Sequence, residues 1–175
     1  VVSIPRTALE SLYGNYTLGI YASIATPATI VQSAATWLYT PTITVFTRNY
    51  IEKNKKAYFS LLVKILALLA AVFAAILAGA ALLGHWGLNL LFGGEIADYS
   101  SLLIPVLLTT LLIALSYFFG ALLTITRKLK VLLVANAAAA ALTLTLSRPL
   151  IRTFGMSGVN YVIYIAMGVN ALILL

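Results

Sequence analysis

The sequence predicts an all-α protein, a polytopic bundle of membrane helices. Three observations carry that expectation. The 175 residues are 62% hydrophobic and only 9% charged, whereas a soluble domain is about one quarter charged. The mean hydropathy is +1.05, and no soluble core hides that much apolar surface. The apolar residues also fall into five runs, about 17–46, 57–84, 101–126, 131–148 and 159–175, divided by short charged or glycine-containing stretches. The chain reads as a single transmembrane lobe over 1–175. It is expected to be a piece of a longer protein, since it begins Val1-Val2 and stops at Leu175 inside an apolar run. A signal peptide is not expected, because Arg6 and Glu10 precede a first run too long for one. There is no cysteine, which excludes disulfides and thiolate metal sites.

Val1 to Asn15 is mixed. Pro5 can start a helix, and Gly14-Asn15 reads as a break after the tail of an earlier membrane helix. Tyr16 to Phe46 is free of charge. Thr26, Thr29, Ser33, Thr36, Thr40, Thr44 and Thr47 recur at steps of three or four, which puts them on one side of a helix. Gln32 lies at the edge of that row. Such a seam either faces other helices or a wet cavity, or its hydroxyls bond back to the preceding turn. Ile20, Ile24, Val31 and Leu38 then point to lipid or a packed neighbour. At 1.5 Å per residue the stretch outruns a hydrocarbon layer of roughly 30 Å. Pro27 and Pro41 are the expected bend points.

Arg48 to Lys56 is a basic loop. Ala57 to Gly84 is the second span, and its Ala67, Ala71, Ala74, Ala78 and Gly79 form a face open to close helix approach. Lys64, two turns in, either snorkels to the interface or stands as a cation in a cavity. His85 to Tyr99 reads as a loop, with Leu88 to Phe92 at the interface. Ser101 to Thr126 is the third span and Arg127, Lys128 and Lys130 form a basic turn. Val131 to Leu146 or a little beyond is the fourth, with Asn136, Thr143 and Ser147 on one face. Arg148, Pro149 and Arg152 end it. Val159 to Leu175 is the fifth, with Asn160, Tyr164 and Gly168 along one side.

The formal charge is +7, but its cations cluster between spans, so it is an orientation signal and a contact for anionic phospholipid rather than for nucleic acid. The positive-inside rule makes loops 48–56 and 127–130 cytoplasmic, with the segment before Tyr16 and the second and fourth loops outside. Arg148 and Arg152 then lie against the bias, either tolerated at the interface or kept for headgroups or a phosphate. The four acids, Glu10, Glu52, Glu95 and Asp98, all lie outside the apolar runs. Nucleophile–base sets, phosphate loops and metal clusters are missing from the pattern. An enzyme is not expected, nor a cofactor or metal.

Ile4-Pro5-Arg6 followed by Glu10, Gly14 and Leu18-Gly19-Ile20-Tyr21-Ala22-Ser23 resembles the middle of oligosaccharide flippases. These are the polysaccharide-export (O-antigen) branch of the multidrug/oligosaccharidyl-lipid/polysaccharide exporter superfamily. Pro41 to Phe46, Asn54-Lys55-Lys56 with Phe59 and Leu62, Leu90-Leu91-Phe92-Gly93 with Tyr99, and Phe154-Gly155 with Gly158 are similar to the later helices and turns of those flippases. The likeness runs along nearly the whole chain and rests on the order and spacing of these short motifs. It implies the carboxy-terminal half of a two-lobed transporter in the bacterial cytoplasmic membrane, with the amino-terminal lobe as its partner. The substrate implied is an undecaprenyl-pyrophosphate-linked oligosaccharide, moved from inner to outer leaflet. The pathway expected comprises Arg6, Thr26, Thr29, Gln32, Ser33, Thr36, Lys64, Asn136 and Arg148. The cations would hold pyrophosphate and the hydroxyls would exchange bonds with sugar. Only Arg6 falls in a matching motif. Alternatives are a cation-coupled multidrug exporter of the same superfamily, which calls for cavity acids, and a non-transporting membrane scaffold.

Overall fold

A chain in hydrocarbon must satisfy its own backbone polar groups, and helices do so within one segment. The computed structural model describes residues 2–174, and no strand occurs among them. The helices are α1 (Ser3–Tyr39), α2 (Ile43–Ile51), α3 (Lys55–Phe92), the one-turn α4 (Gly94–Ala97), α5 (Leu103–Ile125), α6 (Leu129–Phe154) and α7 (Met156–Leu174). Short 3₁₀ turns, Thr40–Thr42 and Ser100–Leu102, join α1 to α2 and lead into α5. The fold is an all-α bundle.

Four helices, α3, α5 with its leading turn, α6 and α7, are long and apolar enough to cross a membrane. The first expected span is not among them. Residues 15–39 run about 37 Å at 1.5 Å per residue, so length is not what sets this helix apart. Its hydroxyl-bearing and tyrosine side chains dilute the apolar content instead.

α1 is two helices meeting at Gly14, where φ is 83° and ψ 172°. Gly93, after α3, takes the nearly identical pair 90° and 171°. That region is open essentially to glycine alone. Gly155, between α6 and α7, also has a positive φ of 58°. These three corners share one end of the bundle. The Tyr13 hydroxyl donates to the carbonyls of Ile151 at 3.3 Å and Arg152 at 3.4 Å, capping the end of α6. The Tyr16 hydroxyl donates to the Glu95 carboxylate. At the other end the α2–α3 and α5–α6 turns lie side by side and pass through Lys53 (φ 54°) and Arg127 (φ 57°). Cations thus crowd one end, in keeping with their clustering in the sequence.

Several expected boundaries move. His85 to Phe92 is not a loop but the last turns of α3. Gly84 marks close packing there, since a Cβ on it would lie 2.8 Å from Leu103 Cδ2. Leu88 is buried rather than interfacial. Pro149 does not end the fourth span. It sits inside α6, so Arg148 and Arg152 are helical, and Arg152 lies in the last turn, where a cation suits the helix dipole. Pro41 does interrupt its helix, through the 3₁₀ turn, while no non-helical dihedral accompanies Pro27. The alanine face of α3 is exposed, and α3 packs through Ile65, Leu69, Phe73 and Leu88 instead. Ile20 and Ile24 are core residues.

α5 is the axis of the core. Its Leu103, Val106, Leu107 and Ile113 join Leu9, Ile20, Ile24, Val159 and Ile163 toward the glycine corners. Its Ala114, Phe118 and Leu122 join Tyr39, Phe46, Leu69 and Phe73 toward the basic turns. Phe118 meets Tyr39 and Phe46 edge-on at 5.3 and 5.9 Å between ring centroids. α6 buries Ala135, Ala139, Thr143, Ser147 and Ile151, one residue every fourth position. That narrow small-residue ridge lets α7 approach closely. At Gly158 a Cβ would come within 2.7 Å of Ile151 Cα and the Leu150 carbonyl carbon.

Candidate functional site

The first segment of α1, ahead of Gly14, is the organising element. Pro5 and Leu9 bury one side of it, and three recesses open around the rest. Arg6, Tyr21, Thr29, Gln32, Thr109 and Thr110 line the first, of about 30 Å³. Ser116, Tyr117, Thr124, Asn136 and Asn170 line the second, of about 490 Å³. Thr7, Ser11, Ser147 and Arg148 line the third, of about 570 Å³. Val2 borders the first two and Ser3 the last two. Expected residues from the later part of α1 (Thr29, Gln32) and from α6 (Asn136, Arg148) therefore gather around the short helix that carries Arg6.

The first recess is the most built. Arg6 lies half-buried, with its guanidinium carbon 6.0 Å from the centroid of the Tyr21 ring. That is the outer limit of a useful cation–π contact. The Tyr21 hydroxyl donates to Asn160 Oδ1 at 2.8 Å in the buried core. Arg6 Nε and Asn160 Nδ2 are buried and have no partner among the described residues. A buried donor left unmatched costs about 1–3 kcal/mol, so each calls for an acceptor, and only Arg6 lines the recess. A polar hollow of this size admits a water but not a sugar.

The second recess holds another polar pair, Asn170 donating through Nδ2 to Asn136 Oδ1 at 3.3 Å. Ser116 Oγ on its wall is buried without a partner among the described residues. In the third, Arg148 is exposed beside buried Ser147.

The hydroxyl row behaves otherwise than a seam that must be wetted. Thr26 donates to the Ala22 carbonyl, Thr29 to Thr26, Ser33 to Thr29, Thr36 to Gln32 and Thr40 to Thr36, at 2.6–3.1 Å. Each donor is spent within the helix. Thr26, Thr29 and Ser33 are exposed and Thr36 is half-buried. The row thus forms an outer face of α1 and does not require a watery neighbour. It still offers acceptor lone pairs, because a hydroxyl that donates inward keeps two of them. Lys64 is exposed on α3 and lies on none of the three recesses.

Among the described residues no sugar-sized cleft encloses all the expected positions. Arg6, Thr29 and Gln32 come together, and Asn136 and Arg148 flank them around the same helix. Thr26, Ser33 and Thr36 lie on the outer face, and Lys64 stands apart. Tyr21, Thr109, Thr110, Ser116 and Asn170 complete the recesses, and the sequence pattern does not single them out as site residues. Asn170 had a usable signal: an amide inside an apolar run needs a partner, and Asn136 is the nearest kind in another run.

Outside the bundle's interior, Tyr16 is held protonated to higher pH than an ordinary tyrosine. Its hydrogen bond to Glu95 is the main cause, followed by burial and the Glu95 charge.

Comparison with protein-family models, curated proteins and solved structures returns no match for this chain.

Proposed function

We propose that this chain is a lobe of a membrane transporter that passes a lipid-linked, pyrophosphate-bearing oligosaccharide from the inner to the outer leaflet. The observation that carries the reading is Arg6, a permanent cation beside a hydroxyl-lined recess, with an unspent buried donor. Guanidinium forks match phosphate oxygens in geometry and keep their charge when desolvated. The acceptor-bearing face of α1 suits sugar hydroxyls as donors. The open polar faces of α1 and α6 are where a second lobe, the amino-terminal partner, would close the passage. On this reading the role is transport and not catalysis.

In this reading the membrane is the bacterial cytoplasmic membrane, with turns 48–56 and 127–130 on the cytoplasmic side. The charge asymmetry between the two ends supports that orientation. An impermeant thiol reagent applied to intact cells should label Gly94→Cys and spare Asn54→Cys. The reverse pattern inverts the topology.

The mechanism is tested in the full-length protein by surface polysaccharide output. Arg6→Gln should abolish most export at normal protein level, and Arg6→Lys should restore part of it. Thr29→Val, Ser33→Ala and Thr36→Val together should lower export without lowering protein level. Normal output from Arg6→Gln and from the triple variant would remove both from the pathway.

A further inference from the structure

The two basic turns border a recess of about 780 Å³, which has no part in the proposed passage. Lys53 and Lys55 line it from the α2–α3 turn and Lys128 from the α5–α6 turn. Across both turns seven cations, Arg48, Lys53, Lys55, Lys56, Arg127, Lys128 and Lys130, face one acid, Glu52. Each turn brings the negative end of one helix to the positive start of the next, so the backbone dipoles largely offset. The field there is set by the side chains. The same recess carries apolar and aromatic surface: Tyr50 is 48% exposed, Ile51 73% and Phe59 61%.

We propose that this recess binds the headgroup of an anionic phospholipid. Lysines are compact charges that satisfy a phosphodiester without demanding a fixed fork geometry. Tyrosine at such a level sits where headgroups meet acyl chains. The volume lies in the range that encloses a whole small ligand, far more than a bare phosphate fills. The exposed Ile51 and Phe59 meet the first acyl carbons. Lipid, rather than free phosphate, answers both the charged and the oily part of the lining. This inference stands on the recess alone and is independent of what the protein transports.

The test uses the full chain in detergent, with lipid retention read by native mass spectrometry. Phosphatidylglycerol and phosphatidylcholine compete at equal concentration, with inorganic phosphate added in a separate arm. A lysine near an anionic surface contributes about fivefold to binding, so the K53Q/K55Q/K128Q variant should lose roughly a hundredfold of the phosphatidylglycerol preference. The control K56Q/R127Q/K130Q removes the same charge from the same end but not from the recess, and should keep most of it. Equal loss in both variants, or no loss in either, overturns the site. Displacement of phosphatidylglycerol by an equimolar amount of phosphate overturns the choice of lipid. If the triple variant does not fold, K128E alone should cut the preference at least tenfold, and an unchanged preference overturns the site equally.

Discussion

Gly158→Ala is the sharpest perturbation this fold offers. The added methyl would stand 2.7 Å from Ile151 Cα and from the Leu150 carbonyl carbon, and closer still to the Leu150 oxygen. All three are backbone atoms of α6, so no side chain can swing aside. Ordinary contact begins near 3.4 Å, so α7 must back away from α6 by at least about 0.7 Å at its first turn, and by more to clear the Leu150 oxygen. Overpacking costs about 1–3 kcal/mol, and a backbone wall puts this case near the upper value. For a chain of this size about 3 kcal/mol lowers the melting temperature by about 6–12 °C. The assay is helix loss on heating in detergent, beside Gly168→Ala as reference. Gly168 lies on the same helix with nothing within 4 Å of its virtual Cβ. There the gain in helix propensity should stabilise by about 0.5–1 kcal/mol. The two variants should move in opposite directions. A Gly158→Ala protein that melts with or above the wild type would refute the close α6–α7 crossing.

Gly14→Ala should cost about 1–3 kcal/mol through backbone strain alone, and Gly19→Ala, with open space around it, should not. The same melts decide it. Tyr21→Phe strips the buried Asn160 oxygen of its only donor among the described residues and should destabilise by about 1–3 kcal/mol. Adding Asn160→Leu should recover part of that loss, and strictly additive losses would count against the pair. Tyr16 should ionise above the usual tyrosine range, read as tyrosinate absorbance, and Glu95→Gln should bring it down. Because the folded value is raised, the contact contributes below the ordinary tyrosine value and is lost as pH rises through the folded one. A Tyr16 titration unmoved by Glu95→Gln would break that link.

Composition and charge placement made the helical membrane character and the clustering of cations at one end legible, because both are summed over many residues. Single glycines were not. Gly84 and Gly93 look alike in sequence, yet one is a contact point for Leu103 and the other a corner with φ 90°. Only the tertiary neighbour tells them apart. Pro149 was misleading for a related reason: within a bundle a helix tolerates a lost backbone bond that a free helix would not. The hydroxyl row was visible as a period, but which way each hydroxyl turns depends on its rotamer and not on spacing. The Arg6–Tyr21–Asn160 grouping was least accessible. Tyr21 and Asn160 are 139 positions apart, and neither carries a local mark of the other.

The two kinds of corner have a consequence for how this polypeptide tolerates change. At one end the chain reverses on glycines, whose only duty there is to bend. At the other, Lys53 and Arg127 bend the backbone through positive φ and carry charge at once. Replacing either with glycine relaxes the turn yet discards a cation from the basic end. Replacing it with a bulky neutral side chain forfeits the charge and keeps the strain. At these two positions a single side chain therefore answers for both the bend and the charge, so a change made for one is felt by the other.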